Sequence, residues 1–387
     1  MLNYVHDIPT KIIFGKGSIS HLKESLSKFG NKVLLTYGGG SIRKIGLYDE
    51  IYSLLKDDFQ IYELHGIEPN PRIESVEEGV KICKENDIDV ILAVGGGSTI
   101  DCSKAIACGY YYEGDDLWDM IREYKPSRKA LPLVDILTLS ATGSEYDSTA
   151  VITNFRTNEK LGAVLTYPSV SICDPTYTFS VSKYQTAAGS IDIMSHIMEG
   201  YFSLTDDSDL YDGIAEAVLR SVIRNLPIAL EEPDNYSARA NLMADASIAC
   251  SGIPEYGKQV DSWPCHAMEH ELSAYYDITH GVGLAILTPR WMRYILEKDP
   301  SSRWRFVRFA KNVWGLEGDD EYLVKAGIDA LEDFFRKSSI PMSLSELNID
   351  DTKFKVMAAH ANRGGRLEKG FVPIDSEDIE KIYQACL

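Results

Sequence analysis

The sequence of 387 residues predicts an α/β domain with a parallel sheet, followed by an all-helical domain. In the first half, short β-branched segments alternate with amphipathic helical segments and run into turns, which is typical of βαβ units. In the second half, apolar residues recur at helical spacing over long segments. The length also suits two domains. We therefore assign residues 1–180 to the α/β domain and residues 181–387 to the helical domain.

The elements of the first domain follow from their boundaries. Lys32–Tyr37 and Val90–Val94 are predicted strands, because each is rich in β-branched and apolar residues and ends at a glycine triplet. The prolines of segment 68–71 exclude a helix there, and an amphipathic helix over Arg72–Asn86 follows them. A second helix is predicted over Thr99–Cys108. Two further strands are predicted at Val134–Leu139 and Thr149–Thr153.

The second domain is predicted from helical periodicity. Segment Tyr211–Arg224 places its large apolar side chains on one face of a helix. The same spacing predicts further helices at Ala240–Cys250, Ala267–Tyr275, Trp304–Trp314 and Tyr322–Phe335.

Composition excludes several classes of protein. The chain carries 39 Lys and Arg against 58 Asp and Glu, a formal charge of −19. Nucleic acids and anionic membranes are bound through positive patches, so neither is expected as the main partner. No segment free of charged residues is longer than 161–173, which excludes a transmembrane helix. The N-terminus lacks a secretory signal, and the seven cysteines contain no C-x-x-C pair, so we expect a cytoplasmic protein with reduced thiols.

Two glycine loops follow predicted strands, at Gly38–Ser41 and Gly95–Ser98. Glycine lets the backbone approach a phosphate, and the helix that follows offers free N–H groups at its N-terminus. The second loop is the better candidate, because Asp101 and Lys104 follow it in the same helix. A turn that needs a positive φ is the alternative for either loop. Because ligands bind at the carboxyl ends of parallel strands, we predict a Rossmann-like dinucleotide-binding domain.

The first loop bears on the choice between NAD and NADP. NAD-specific sites place an acid at the end of a neighbouring strand, where it binds the ribose 2′-OH and repels a 2′-phosphate. The first loop carries no acid, and Arg43 and Lys44 follow it. The loop therefore leaves NADP open as a cofactor, although a solvated helix start would also explain the two cations.

Metal-ligating residues cluster in the helical domain. Asp192 and His196 are spaced i, i+4, which places them on one helix face, and His266 and His270 repeat that spacing. His280 follows and precedes a glycine. One carboxylate with several imidazoles suits a divalent first-row metal such as Fe, Zn, Ni, Mn or Co.

Five candidates exceed a four-ligand set, and one of them is expected to serve another purpose. If Asp192, His196, His266 and His280 are the ligands, His270 remains one helical turn from His266, where it can carry a proton. Glu199, Glu269 and Glu271 could contact the imidazoles from outside the metal site, although a solvated helix face is an equal interpretation for each.

The glycine loops, the segment TLSATGSE and the paired Asp and His motifs together resemble the iron-containing, group III, alcohol dehydrogenase family, especially its butanol dehydrogenase and broad aldehyde reductase members. The resemblance runs from PTKIIFGKGS through AVGGGSTIDCSKAIA to HAMEHELSAYYDITHGVGLAILTP, essentially the whole chain. It implies the fold that this family shares with dehydroquinate synthase, in which the helical domain binds the metal.

The resemblance also implies a role for each matching position. Asp192, His196, His266 and His280 match the metal ligands, and His270 matches a residue near the nicotinamide that handles protons. Iron is implied by the family alone. Asp147 stands where NADP-using reductases can carry Asn, which leaves the preference between NAD and NADP open. Cofactor contacts are implied at Gly38, Gly39, Gly40, Ser41, Asn70, Gly95, Gly96, Gly97, Ser98, Asp101, Thr138, Thr142 and Lys160.

The predicted function is reversible hydride transfer between NAD(H) or NADP(H) and a short-chain primary alcohol or aldehyde, such as butanol or butanal. Fe²⁺, or Zn²⁺ or another divalent metal, would act as Lewis acid. We expect a homodimer, because it is the commonest closed assembly. The expected binding partner is a small-molecule alcohol or aldehyde substrate. Two alternatives stay open: an NAD-using metal-dependent lyase of the dehydroquinate synthase type, and a nucleotide-binding metallohydrolase.

Overall fold

The computed structural model describes residues 1–123, 127, 129–260 and 262–387. The chain divides into two compact units. The sheet unit comprises residues 7–181 and 233–251, and the helical unit comprises residues 1–6, 182–232 and 252–387.

The sheet unit is built on a six-stranded parallel sheet with the strand order β1-β8-β5-β4-β2-β3. Strands β6 and β7 form a separate antiparallel hairpin. The strands are Lys11–Phe14 (β1), Lys32–Tyr37 (β2), Gln60–Leu64 (β3), Val90–Gly95 (β4), Leu133–Leu137 (β5), Thr149–Asn154 (β6), Glu159–Val164 (β7) and Val170–Cys173 (β8).

Helices cover both faces of this sheet, because its strands are apolar on both sides. On one face, Leu34 and Ile91 pack in a core with α4 and α5; on the other, Val33 and Leu35 pack with α1 and α3. The first six helices are Leu22–Leu26 (α1), Ser41–Lys44 (α2), Leu47–Leu55 (α3), Ile73–Asn86 (α4), Gly97–Gly109 (α5) and Leu117–Arg122 (α6).

The remaining helices, except α9, belong to the helical unit. They are Lys183–Tyr201 (α7), Asp209–Glu231 (α8), Tyr236–Ala249 (α9), Pro264–Tyr276 (α10), His280–Lys298 (α11), Arg303–Asn312 (α12), Asp320–Lys337 (α13), Phe354–Ala361 (α14) and Ser376–Gln384 (α15). Short 3-10 helices lie at Ser18–His21, Ser144–Tyr146, Pro175–Thr178, Ile253–Glu255, Pro300–Ser302, Ser345–Leu347, Asp351–Lys353 and Arg363–Lys369. Within the described ranges, no helix combines the length and hydropathy needed to cross a membrane.

A buried ion network holds part of the helical unit together. The Asp212 carboxylate on α8 lies 2.7 Å from Nζ of Lys258 and 2.6 Å from Nη1 of Arg305 on α12, and all three side chains are fully buried. Buried charges need such partners, because an unpaired charge would be costly away from water. The network therefore fixes α12 against α8.

The predicted fold class is confirmed, and most predicted elements have their counterparts. Strand β2 has the predicted bounds, and helix α5 contains the predicted Thr99–Cys108. Strand β5 ends at Leu137 rather than at the predicted Leu139. Its partner β4 ends where Gly95 pairs with Leu137, so no ladder remains beyond that point.

Helix α9 lies in the sheet unit, although the predicted second domain spans all of residues 181–387. Ser247 Oγ on α9 donates to Glu145 Oε1 at 2.6 Å. Gly143 approaches α9 so closely that a Cβ there would lie 2.5 Å from the Ala246 carbonyl oxygen. These contacts join α9 to the turn after β5. The boundary at residue 180 is inferred only from the change in the pattern of predicted elements, and it stays a prediction.

Candidate metal centre and cofactor loops

The residues predicted to bind a metal converge on one point of the helical unit. Asp192 and His196 lie one turn apart on α7, His266 lies on α10, and His280 is the first residue of α11. Gly281 lets α11 approach α7, since a Cβ at this position would lie 2.0 Å from the carbonyl oxygen of Ala188. Three helices therefore deliver the four side chains.

Asp192 Oδ1 lies at the centre of this group. It is 3.5 Å from His196 Nδ1, 3.8 Å from His266 Nε2 and 3.6 Å from His280 Nε2. Ligand atoms of Asp192, His196 and His266 all lie within 4.8 Å of one another, and the three residues are buried. Such spacing suits ligands that surround one ion.

The polar atoms of this cluster fit a metal. Within the described part of the chain, Asp192 Oδ1 and His266 Nε2 are buried and have no hydrogen-bond partner. Buried polar atoms are normally paired, so two such atoms side by side mark a place for a ligand. A carboxylate oxygen with imidazole nitrogens is a donor set for Zn²⁺, Fe²⁺ and similar ions.

The ionisation of the cluster reflects its burial and its internal charges. Burial acts to raise the pKa of Asp192, but the charges of His196 and His280 outweigh it and lower the pKa to about 2. Burial acts to lower the pKa of His266, whereas the neighbouring carboxylates of Asp192 and Glu199 raise it to about 9. A metal bound here would have to displace the proton from His266, so its binding would release protons.

Two buried glutamates hold the outer nitrogens of the imidazoles. Glu199 Oε1 accepts hydrogen bonds from the backbone N–H of His266 at 2.8 Å and from its Nδ1 at 3.0 Å. Glu269 accepts from His280 Nδ1 and from Ser273 Oγ. With Nδ1 held in this way, Nε2 of each ring faces Asp192. Helical spacing alone could not separate these two glutamates from surface residues, because it does not show which face is buried.

His270 lies beside the cluster on α10. Its ring centroid is 5.7 Å from that of His280 and 6.4 Å from that of His266. His270 is partly exposed, whereas His196 and His266 are buried. A group with His280, Glu269 and His270 also has ligand atoms within 4.8 Å, so geometry leaves His270 close enough to exchange a proton at the metal site.

In the sheet unit, the loop after β4 is built for close approach. A Cβ at Gly97 would lie 2.1 Å from Thr142 Oγ1, and one at Gly95 would lie 2.3 Å from Thr99 Oγ1. Gly96 has a φ of −87°, in the region open to any residue. Glycine is therefore required here for space, whereas the predicted alternative invoked a positive φ.

Two residues of α5 are engaged by the protein itself. Asp101 Oδ1 accepts from Ser144 Oγ at 2.5 Å, and Oδ2 accepts from the Val151 N–H at 2.9 Å. Burial raises the pKa of Asp101 to about 6, although the Lys104 charge opposes this shift. Lys104 is fully buried and donates to Asp147 Oδ1 at 2.7 Å. Lys104 thus holds α5 against the turn before β6, while a cofactor role for Asp101 stays a prediction.

The other predicted cofactor residues divide between the sheet edge and the hairpin. Thr138 follows β5, and its N–H donates to the Gly95 carbonyl at 2.9 Å, so Thr138 and Thr142 both border the loop of Gly95–Ser98. Lys160 lies on β7, where it pairs with Thr153, and is buried. The structure therefore brings the two threonines to the loop and places Lys160 on a separate element.

The first glycine loop, Gly38–Ser41, follows directly after β2. Gly40 has a φ of 97°, the left-handed conformation that favours glycine, while Gly39 has open space around it. A Cβ at Gly38 would lie 3.0 Å from the Ile67 carbonyl oxygen. Asn70, in the turn before α4, is buried with a φ of 53°.

One acidic side chain lies beside this loop in the fold but is distant from it in the sequence. Glu63 lies on β3, next to β2, and accepts from the hydroxyl groups of Tyr37 and Tyr48 at 2.7 Å each. Its carboxylate is 3.4 Å from Arg43 Nη2. The expectation of an acid-free loop holds for the loop itself, but the fold brings an acid from the next strand. An acid in an apolar strand is the signal that could have found it.

Comparisons with known proteins agree with both halves of this description. Residues 9–175 match the model of the family "iron-containing alcohol dehydrogenase", and residues 186–387 match that of the C-terminal domain of the same family. Neither model describes a lyase or a hydrolase.

Several characterised relatives are similar over nearly their whole length. NADH-dependent butanol dehydrogenase A from Clostridium acetobutylicum is 50% identical, with 99% of each chain covered. NADPH-dependent aldehyde reductase YqhD from Escherichia coli is 35% identical, with 100% of each chain covered.

A solved structure gives the same result in three dimensions. The crystal structure of NADH-dependent butanol dehydrogenase A from Thermotoga maritima matches with a TM-score of 0.94 at 40% identity, covering 100% of this chain and 99% of that one. The predicted resemblance and enzyme class are confirmed: the chain belongs to the iron-containing alcohol dehydrogenase family.

Proposed function

We propose that the protein is a metal-dependent alcohol dehydrogenase and aldehyde reductase that transfers hydride reversibly between NAD(H) or NADP(H) and a short-chain primary alcohol or aldehyde. The observation that carries the proposal is the convergence of three imidazoles on the buried Asp192 carboxylate, in a family of alcohol dehydrogenases. Butanol and butanal are the first substrates to test, because the relatives named above include butanol dehydrogenases.

In this proposal, Asp192, His196, His266 and His280 hold one divalent metal. Fe²⁺ is the first choice because of the family, and Zn²⁺ suits the same donor set. A bound metal would supply Lewis acidity that stabilises negative charge on the substrate oxygen. Glu199 and Glu269 accept hydrogen bonds from Nδ1 of His266 and His280, respectively, and so keep Nε2 of each ring directed towards Asp192.

His270 is proposed to carry the proton that the substrate oxygen loses or gains. It lies within one helical turn of His266 and is partly exposed, so it can exchange protons with water. The cofactor is proposed to bind along Gly38–Ser41, Gly95–Ser98, Asn70, Asp101, Thr138, Thr142 and Lys160. A cytoplasmic location and a homodimer stay predictions.

The decisive test uses the full chain purified without oxygen and loaded with Fe²⁺ or Zn²⁺. Butanal should drive oxidation of NADH or NADPH, measured by the loss of absorbance of the reduced nicotinamide. His266→Ala should lose both bound metal and turnover, because it removes a buried ligand. His21→Ala, at an exposed histidine of the sheet unit, is the matched control and should retain both. Full turnover by metal-free His266→Ala would refute the proposal.

A further inference from the structure

A cluster of tyrosines surrounds Glu63 at the end of the sheet. Tyr37 and Tyr48 each donate to a different oxygen of the carboxylate at 2.7 Å, and Tyr52 donates to one of them at 3.3 Å. The Glu63 side chain is 24% exposed, so the three phenols satisfy a largely shielded anion. These hydrogen bonds lower the pKa of Glu63 although burial acts to raise it. Glu63 is therefore ionised at neutral pH.

Arg43 is drawn into the same cluster. Its guanidinium lies 3.6 Å from the ring centroid of Tyr48, donates to the Tyr37 hydroxyl at 2.6 Å and forms an ion pair with Glu63 at 3.4 Å. Half of the side chain remains exposed. Arg43 thus has a carboxylate, a phenol and an aromatic face as partners, and the net charge of Arg43 with Glu63 is zero.

The cluster adjoins the first glycine loop. Tyr37 is the last residue of β2, Gly38–Gly40 follow it directly, and Arg43 lies in the helix that begins at Ser41. In parallel sheets, this is the edge at which the ribose of a dinucleotide meets either an acid or an arginine. An acid selects the free 2′-OH, whereas an available arginine selects the 2′-phosphate.

We propose that Glu63 makes the protein prefer NAD(H) over NADP(H), because it neutralises Arg43 and so leaves no free positive charge to bind a 2′-phosphate beside the first glycine loop. This inference rests on the proposed function, because it assumes that a nicotinamide dinucleotide binds at Gly38–Ser41. It assigns selectivity to an acid that the loop sequence does not contain. Glu63 is a specificity residue, and it takes no part in the chemical step.

The test compares the affinities of NADH and NADPH for wild type and Glu63→Gln by titrating the nucleotide fluorescence. Wild type should bind NADH more tightly than NADPH. Glu63→Gln keeps a hydrogen-bond acceptor for the tyrosines but removes the charge, so NADPH affinity should rise roughly fivefold to tenfold while NADH affinity stays nearly constant. Glu77→Gln, which removes the charge of one of the two carboxylates paired with Arg156 elsewhere on the sheet unit, should leave the ratio unchanged.

A second variant keeps the test meaningful if Glu63→Gln folds poorly. Arg43→Ala leaves the Glu63 charge without its cation, so NADPH should bind more weakly relative to NADH than in wild type. Tighter binding of NADPH than NADH by wild type, or an unchanged ratio in both variants, would overturn the inference alone. Failure of wild type to bind either dinucleotide would overturn it together with the proposed function.

Discussion

Glu199 holds His266 by two atoms at once, the backbone N–H and the ring Nδ1, through a single carboxylate oxygen. This double contact fixes both the position of the residue on α10 and the orientation of its ring. Removing it should therefore weaken metal binding without removing any ligand. We expect Glu199→Ala to lower metal affinity about 10-fold to 100-fold, with a smaller loss for Glu199→Gln.

Metal affinity in these variants is measured by competition with a chelator, which is independent of turnover. Glu297→Gln, at an exposed position of α11, serves as the control and should bind metal like wild type. Wild-type metal affinity in Glu199→Ala would show that the contact does not support the site.

His270 is expected to separate metal binding from the chemical step. His270→Ala should retain the metal, because Asp192, His196, His266 and His280 remain. Its turnover should fall by about 10² to 10⁴, which is the usual contribution of a general acid or base. Steady-state rates across pH, together with metal content, check this expectation. Loss of metal in parallel with rate would instead make His270 a ligand.

Gly97 is expected to tolerate no side chain. A Cβ there would lie 2.1 Å from Thr142 Oγ1, so Gly97→Ala must displace the threonine or the loop. We expect dinucleotide binding to be lost or strongly weakened. Gly213→Ala, on α8 and outside the proposed cofactor site, provides the control, because no heavy atom lies within 4 Å of its added Cβ. Calorimetric titration with NADH measures both, and equal affinities would exclude the close-approach explanation.

The buried Glu145 makes stability depend on pH. Burial raises its pKa to about 7, while the hydrogen bond from Ser247 acts in the opposite direction. The folded state therefore binds a proton more tightly than the unfolded state, whose carboxyl has a pKa near 4.3. Stability from this group is fully present below that value and is lost as pH rises through about 7.

Glu145→Gln removes this titration, because its side chain is neutral at every pH. The variant should gain stability relative to wild type between pH 4.5 and pH 8, on the order of 3 kcal/mol. Urea unfolding midpoints at the two pH values measure the difference. A difference that does not change with pH would mean that Glu145 is ionised in the folded protein throughout.

The fold could be predicted largely because its signals are local. Strand β2 is indicated by its apolar residues and the glycines that follow it, and helix α4 by its amphipathic pattern and the prolines that precede it. The proximity of Asp192 and His196 could be predicted for the same reason, since both lie on one face of α7. Glu63 could not, because its neighbours Tyr37 and Arg43 come from another strand and helix, and strand pairing is set by the whole sheet.

The cations that follow the two glycine loops are both paired with acidic side chains in the structure. Lys104 follows a phosphate-type loop in sequence, yet its ammonium turns inward to Asp147 because α5 packs on β6. Arg43 follows the other loop and binds Glu63. The sequence therefore predicts that each cation lies near a glycine loop. Whether the cation is free to bind a ligand depends on how the neighbouring elements pack.

Helix α9 has a consequence for the order in which the chain can fold during synthesis. The sheet unit includes residues 233–251, so its first 175 residues emerge from a ribosome before the helix that covers Gly143 and Glu145 has been made. In that interval the turn after β5 lacks its cover. The sheet unit can therefore be completed only after residue 251 has been synthesised.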